Sequence, residues 1–520
     1  MLPTLKNLSI VEFFPQHCFI NYLLCKNFMK PKDIVLFEAD GDVYGSSATI
    51  RQCLSFPVSL LSLREYLSQE YDSIILTQEG LSSKGLAGKI LTFNPKIVAA
   101  TASCCEFPVT ADIMQEIKNQ RPDIVTVVGG YHASAYPQSL DPKKCPRGIN
   151  PKGIDLFVLR EGEKTFAEVA DSVRRGTLKK DSSRIKGLAY MESGILSFNE
   201  PRELIEDIDT LPNITWGKEE LERNSFDGLV ARPNPNSGNV VVVISERGCS
   251  FACSFCSTQN VYGRKVRTRS MESLGDEIEN LVTNLNVDMI VDYAPTANRD
   301  PKRIHSFCEE VRKRGLGNKI SLYQLWRLEN PQTGKLMITE DLLEDLENTL
   351  YGFKAGIGIE ALTDKDQEYL HKSHSLENLG KAADAFHKHG AVLRGFYMIT
   401  PETTRDAIQN CSQSSLLSLF DDLRVTYLAP YPGSPIYEEH KGELITENWR
   451  NFTGQTPVLK SKHLDKTELA NAYKDIIQGF LLNKFRQDRI KEKIRNFPQL
   501  REGFEVYHNK MRRYGFETLE

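Results

Sequence analysis

Residues 240–256 constrain this chain more than any others. The run Val240-Val241-Val242-Val243-Ile244 leads through Ser245-Glu246-Arg247-Gly248 into Cys249-x3-Cys253-x2-Cys256. Five consecutive apolar β-branched residues predict a strand covered on both faces, the pattern of a parallel sheet. The cysteine spacing then sets three thiols on one tight loop at the carboxyl end of that strand, where barrel enzymes carry their chemistry. Cysteine thiolate is the usual ligand of iron–sulfur clusters. Three ligands on a cube of four irons leave one iron open to bind and reduce a small molecule. A structural zinc ion normally takes four protein ligands, and no second CxxC or Cys/His pair follows within about 30 residues.

The length of 520 residues suggests two to four domains at about 150 residues each. Hydrophobic content of 40% and charged content of 26% are those of an ordinary soluble protein. A net charge of −4 gives no reason to expect nucleic-acid binding. No apolar run reaches the roughly 18 residues that suggest a membrane span. The N-terminus, Met1-Leu2-Pro3-Thr4-Leu5-Lys6, lacks the charged-then-apolar order of a signal peptide. The eleven cysteines are an odd and scattered set, which argues for reduced thiols and a cytoplasmic location. Cys18, Cys25, Cys53, Cys104, Cys105, Cys145, Cys308 and Cys411 have no metal-ligand spacing and are expected as small apolar side chains.

From residue 31 the pattern alternates short apolar strands with helices. Strands are expected at 33–37, 73–76, 96–100 and 123–128, a helix at 58–67, and another opened by Pro108 with Ile113 and Ile117 on one face. Such βαβ units make a doubly wound sheet, whose ligands sit at the carboxyl ends of the strands, here loops 101–106 and 129–134. Residues 240 to about 440 repeat strand and helix again. Beyond them Asp465-Lys466-Thr467-Glu468 predicts a capping box ahead of Leu469, Tyr473, Ile476, Ile477 and Phe480 at helical spacing. The boundaries read as an N-terminal extension (1–30), a Rossmann-like domain (31–150), a linker region (151–235), a barrel domain (236–440) and a C-terminal helical domain (441–520).

The cysteine loop resembles the cluster loop of the radical S-adenosylmethionine (SAM) enzymes, and Phe255, just before the last cysteine, fits that pattern. Upstream, Asn94-Pro95-Lys96-Ile97-Val98, Val127-Val128-Gly129-Gly130-Tyr131-His132-Ala133 and Glu161-Gly162-Glu163-Lys164-Thr165-Phe166 resemble the cobalamin-binding domain fused to one large subgroup of them. Downstream, Gly263-Arg264-Lys265-Val266-Arg267-Thr268-Arg269-Ser270, Gly356-Ile357-Gly358-Ile359-Glu360 and Pro430-Tyr431-Pro432-Gly433-Ser434-Pro435 continue the resemblance in order. It implies an α/β chain: an N-terminal doubly wound cobalamin-binding domain, a partial (β/α)6 radical SAM barrel and a C-terminal helical region.

The resemblance implies three cofactors, a [4Fe-4S] cluster on Cys249, Cys253 and Cys256, S-adenosyl-L-methionine and cobalamin. Phe255, Asp292, Arg327 and Glu360 are the expected SAM contacts; Ser103, Gly129, Gly130 and His132 are those expected for the corrin. Arginines of the 263–270 segment are expected to hold anions such as the SAM carboxylate or the corrin phosphate. No Asp-x-His-x-x-Gly occurs, so the histidine that ligates cobalt in methionine-synthase-type domains is missing. Beyond Asp292, Tyr293-Ala294-Pro295 departs from the second acid and the aromatic common in the family. The implied activity is methylation of an unactivated carbon in a small molecule or peptide by way of a 5′-deoxyadenosyl radical and methylcobalamin. The alternatives are cyclisation, ring contraction or oxidation with the same cofactors, and a regulator without turnover. A flavodoxin or ferredoxin is the expected electron donor. The C-terminal tail is expected to close over the substrate. The sequence assigns no catalytic side chain.

Overall fold

The computed structural model describes residues 32–40, 57–224, 229–361, 363–372, 374–410 and 416–518. The expected N-terminal extension, and Cys18, Cys25, Cys53 and Cys411, lie outside them.

The first sheet contains β1 (Ile34–Glu38), β2 (Ser73–Thr77), β3 (Ile97–Thr101), β4 (Val125–Gly129) and β5 (Leu156–Val158), followed by β6 (Leu188–Glu192) and β7 (Ile195–Phe198). Its order is β2-β1-β3-β4-β5-β6-β7; the first five strands are parallel and the last two antiparallel. Successive side chains of a strand point to opposite faces, and each face of this sheet has its own core. Ile34, Leu36, Ile97 and Ala99 join one cluster, while Val35, Phe37, Val98 and Ala100 join the other. β5–β7 fall in the stretch read from sequence as a linker, yet β5 pairs with β4, β6 with β5 and β7 with β6, which makes them part of this sheet.

The second sheet begins with β8 (Asn239–Val243). A two-stranded antiparallel ribbon of β9 (Glu246–Arg247) and β10 (Arg267–Thr268) follows. Then come β11 (Val287–Asp292), β12 (Ser321–Trp326), β13 (Gly352–Glu360), β14 (Val392–Ile399) and β15 (Asp422–Tyr427). The six long strands are parallel and in chain order, with β8 and β15 at the edges, so the barrel is open. Val240 to Val243 are 0–3% exposed, as a doubly covered strand requires.

The two sheets are not independent. One apolar cluster runs from β1, β3 and β4 through Trp216 and Leu229 into the strands of the second sheet and the helices packed on them. The other is completed by Ala429, Trp449, Phe452 and Val458, from beyond the last barrel strand. Arg450 there pairs with Asp112 of the helix Phe107–Gln120 at 2.7 Å. Residues 428–464 thus form a strap from the top of the barrel back to the first sheet.

The expected capping box is present on the helix Lys466–Leu481, which lies along β15 and takes the Tyr427 hydroxyl on Leu469 O (2.6 Å). The helices Lys484–Asn496 and Arg501–Arg513 sit at the opposite end of the barrel from the cysteine loop. Lys493 donates to Ala391 O and pairs with Asp421, both at 2.6 Å and both just before a strand begins. Gly503 packs against the Val230 carbonyl ahead of β8. The terminal helices therefore plug the barrel floor rather than close over a substrate. The strap is what reaches the carboxyl ends of the strands.

Candidate cluster and cofactor site

The cysteine loop leaves the ribbon through Gly248, whose φ of +94° suits glycine and whose added Cβ would collide with the Lys265 carbonyl. Cys249 N donates to Gly263 O and Cys256 N to Cys253 O, each at 3.2 Å, so backbone bonds fix both ends of the loop. All three thiols are free and half-buried. Burial pushes the Cys249 thiol up, and its two sister cysteines add to the shift. Each sulfur has a polar neighbour: Thr296 Oγ1 is 3.9 Å from Cys249, the Cys256 thiol donates to Thr258 Oγ1 at 3.3 Å, and Arg327 Nη1 donates to Cys253 Sγ at 3.9 Å. Hydrogen bonds to sulfur are one of the levers that set a cluster's potential. Among the described residues no three His, Cys, Asp or Glu side chains gather as ligands of a single metal ion.

Above the loop, Arg327 follows β12 with its guanidinium 4.2 Å over the Phe251 ring. Asn298 accepts from its backbone N at 2.8 Å and donates to its carbonyl at 2.8 Å. Glu360 ends β13 at a register shift and at φ +55°, a conformation that L residues adopt at a cost. Its carboxylate pairs with Lys372 Nζ at 2.8 Å, and Gly358 leaves room for that pair. Lys372 in turn lies 5.9 Å from the centre of the Phe255 ring. The structure thus brings Phe255, Arg327 and Glu360 around the cysteines.

Asp292 does not join them as a ligand contact. It is 4% exposed, and both oxygens are taken: Oδ1 accepts from Ser245 N (3.2 Å), Oδ2 from Ser245 Oγ (2.7 Å) and Gln324 Nε2 (3.0 Å). It knits the ends of β8, β11 and β12 together. Beside it stands a carboxylate missed by sequence reasoning, Glu246, whose pKa is pushed up to about 7 by burial and by Asp292. Its Oε1 accepts from Thr296 N at 3.3 Å. The available signal was an acid immediately before Arg-Gly-Cys. Lys372 and Asn298 were also missed. So was His374, whose two ring nitrogens are buried without a hydrogen-bond partner and whose pKa burial brings down to about 4.

In the first sheet, Gly130 has φ +88°, and a Cβ on it would press on Thr101 Oγ1 (2.5 Å). The glycine pair lets the end of β4 nest on the end of β3: Ala102 N donates to Gly129 O (3.2 Å) and His132 N to Ala102 O (3.0 Å). Ser103 N donates to Glu106 Oε2 at 2.7 Å, and its half-buried hydroxyl lies 3.3 Å from Cys105 Sγ in the same loop. His132 turns inward. It is 3% exposed, stacks on Phe107 at 4.1 Å, lies 5.0 Å from Trp449 and bonds Ser139 Oγ through Nε2 at 2.9 Å. Burial brings its pKa down to about 3, so it is a neutral packing group, not a corrin contact.

Tyr131, the preceding residue, points the other way and keeps 43% of its surface exposed. Its helix, Gly130–Ala135, packs on the helix Thr258–Tyr262 that follows Cys256. The corrin-side loop and the cysteine loop are therefore neighbours.

The basic segment after the cysteines is mostly spent within the protein. Arg267 is buried on Glu161, Arg269 on Glu277, and Lys265 pairs with Glu206. Arg264 Nε donates to Gln259 Oε1. The expected anion-holding role is thus closed to Arg267 and Arg269.

Residues 51–170 match the family model of the B12 binding domain, and residues 243–412 that of the Radical SAM superfamily. An uncharacterized methyltransferase of Pyrococcus horikoshii is 26% identical over 82% of this chain and 88% of its own length. The anaerobic magnesium-protoporphyrin IX monomethyl ester cyclase of Rubrivivax gelatinosus is 28% identical over 78% of this chain and 69% of its own. Among solved structures, the radical SAM methyltransferase TsrM from Kitasatospora setae, with cobalamin and a [4Fe-4S] cluster bound, superposes at a TM-score of 0.61 and 15% identity. That match covers 88% of this chain and 89% of TsrM. The cobalamin-dependent radical enzyme OxsB, with aqua-cobalamin bound, gives 0.61 and 15% over 97% and 76%. At these identities the structural likeness speaks for the fold.

Proposed function

Because the chain belongs to the radical SAM superfamily and carries a B12-binding domain ahead of the radical SAM domain, we propose that it is a cobalamin-dependent enzyme. In this reading it methylates an unactivated carbon of a small molecule or peptide. The observation that carries it is the packing of Gly130–Ala135 on Thr258–Tyr262, which sets the corrin-side loop beside the three thiols.

The donor set fits the implied groups. Three free thiols on one loop suit a cluster with an open iron. The turn at Gly129–Gly130 and the loop holding Ser103 form the corrin side. Arg327, beside Cys253 and Phe251, would hold the SAM carboxylate, and the Glu360–Lys372 pair would offer charge of both signs to the rest of that molecule. When bound, the cluster supplies the electron that cleaves SAM and the corrin carries the methyl group. An sp3 carbon has neither an acidic proton nor a lone pair, so the cofactors carry the chemistry and the protein orients them. A flavodoxin or ferredoxin supplies the electron in a reducing cytoplasm, a setting that suits cysteines free of disulfides among the described residues.

A second reading keeps the cofactors and changes the outcome to cyclisation or oxidation. It is favoured by the 28% identity to the magnesium-protoporphyrin cyclase. Anaerobic reconstitution with iron, sulfide and cobalamin, followed by assay of SAM products, decides. Both 5′-deoxyadenosine and S-adenosylhomocysteine support methyl transfer. 5′-Deoxyadenosine alone moves the assignment to the second reading, and neither product refutes both.

A further inference from the structure

Four buried charges join the first sheet to the root of the cysteine loop. Glu161 and Glu163 follow β5; Arg247 and Arg267 face each other across the β9/β10 ribbon. Arg247 Nη2 pairs with Glu163 Oε1 at 2.6 Å and Nη1 with Glu161 Oε1 at 3.3 Å. Arg267 Nη1 lies 2.8 Å from both oxygens of Glu161. The four side chains are 2–8% exposed, and their charges cancel. Arg267 also donates to Ile205 O (2.7 Å) and Tyr262 O (2.9 Å), while Glu161 Oε2 accepts from Ile205 N (2.8 Å). The quartet therefore ties four chain segments, at 161–163, 205, 247 and 262–267, to one point two residues ahead of Cys249.

Desolvation offsets most of what such pairs gain by attraction, so four buried ions are poor evidence for stability. Their directionality is a different matter. Arg247 spans two carboxylates through its two Nη atoms, and Arg267 sets one Nη between both oxygens of Glu161; such charge-assisted hydrogen bonds fix direction as well as distance, which an apolar contact between two domains does not. We propose that this quartet is a positioning lock that sets the cluster loop against the corrin domain at a fixed separation. Glu161 and Glu163 then act on the reaction through Arg247 and Arg267, without touching substrate or cofactor. The inference rests on the proposed two-cofactor function, because only a reaction shared between the domains needs that separation held.

The test compares the wild-type chain with Glu163→Gln and with the double variant Glu163→Leu/Arg247→Met. The double variant replaces one charge pair by apolar side chains, a change that buried pairs commonly tolerate. Amide hydrogen exchange on the cluster-free full chain reads the ribbon directly. In both variants exchange across residues 246–268 rises about tenfold or more, while β12–β14 keep their protection. On the anaerobically reconstituted holoenzyme, S-adenosylhomocysteine formation with reduced cobalamin falls about tenfold or more, because it needs SAM and corrin at a set separation. Formation of 5′-deoxyadenosine under a strong reductant needs only the barrel and stays within about twofold. Unchanged exchange in the ribbon, or an unchanged ratio of the two products, overturns the lock. A wild-type protein that forms neither product sinks the proposed function instead, and hydrogen exchange then decides on the lock alone.

Discussion

At Glu360 the chain accepts a left-handed φ so that β13 can end on a carboxylate facing Lys372. Backbone strain of this kind costs about 1–3 kcal/mol and persists where the surroundings demand it. We expect Glu360→Gln to keep the cluster while weakening SAM binding about tenfold, read by titrating SAM into the reconstituted protein. Removing a cysteine acts earlier. Cys253→Ala should lose most of its bound iron, measured by chemical iron analysis after reconstitution; undiminished iron would remove the loop from the cluster site. His132 carries a pH effect. Its pKa falls from the ordinary 6.5 to about 3, so the unfolded chain binds the extra proton between those values and stability is lost as pH drops through that window. Glu246 works the other way, since its raised pKa lets the folded state hold a proton up to about pH 7. The melting temperature of His132→Gln should therefore fall less between pH 7 and pH 4 than that of the wild type. Residue types were legible in the sequence where chemistry fixes them, as for the cysteines. Orientation was not: His132 is turned by Phe107 and Trp449, the latter more than 300 residues away in the chain.

Strands were the most legible elements. An unbroken apolar run such as 240–244 leaves a chain little alternative to a doubly covered strand, and the observed strand limits differ from the expected ones by one or two residues. Helix periodicity told which face of Lys466–Leu481 is buried, but not against which end of the barrel the following helices rest. That depends on Lys493 and Arg486 meeting Asp421. The strap was invisible because its anchors are isolated aromatics in an irregular stretch. Trp449 is 2% exposed among Phe107, His132 and Tyr136. Trp449→Ala should cost about 3–5 kcal/mol, read by denaturant unfolding.

For the whole molecule, the order of motifs along the chain announced a doubly wound sheet followed by an open barrel. It could not announce their union, because the contacts that join them span long separations in sequence. The cluster shared between the two sheets predicts one cooperative thermal transition rather than two in calorimetry. Two well-resolved transitions would contradict it. The strap also bears on biosynthesis. Domains generally fold as they leave the ribosome, N-terminal part first, but one core of the leading sheet lacks Trp449, Phe452 and Val458 until most of the chain has been made. The nascent first half must wait, incompletely packed, and loading of a corrin belongs after translation has nearly finished.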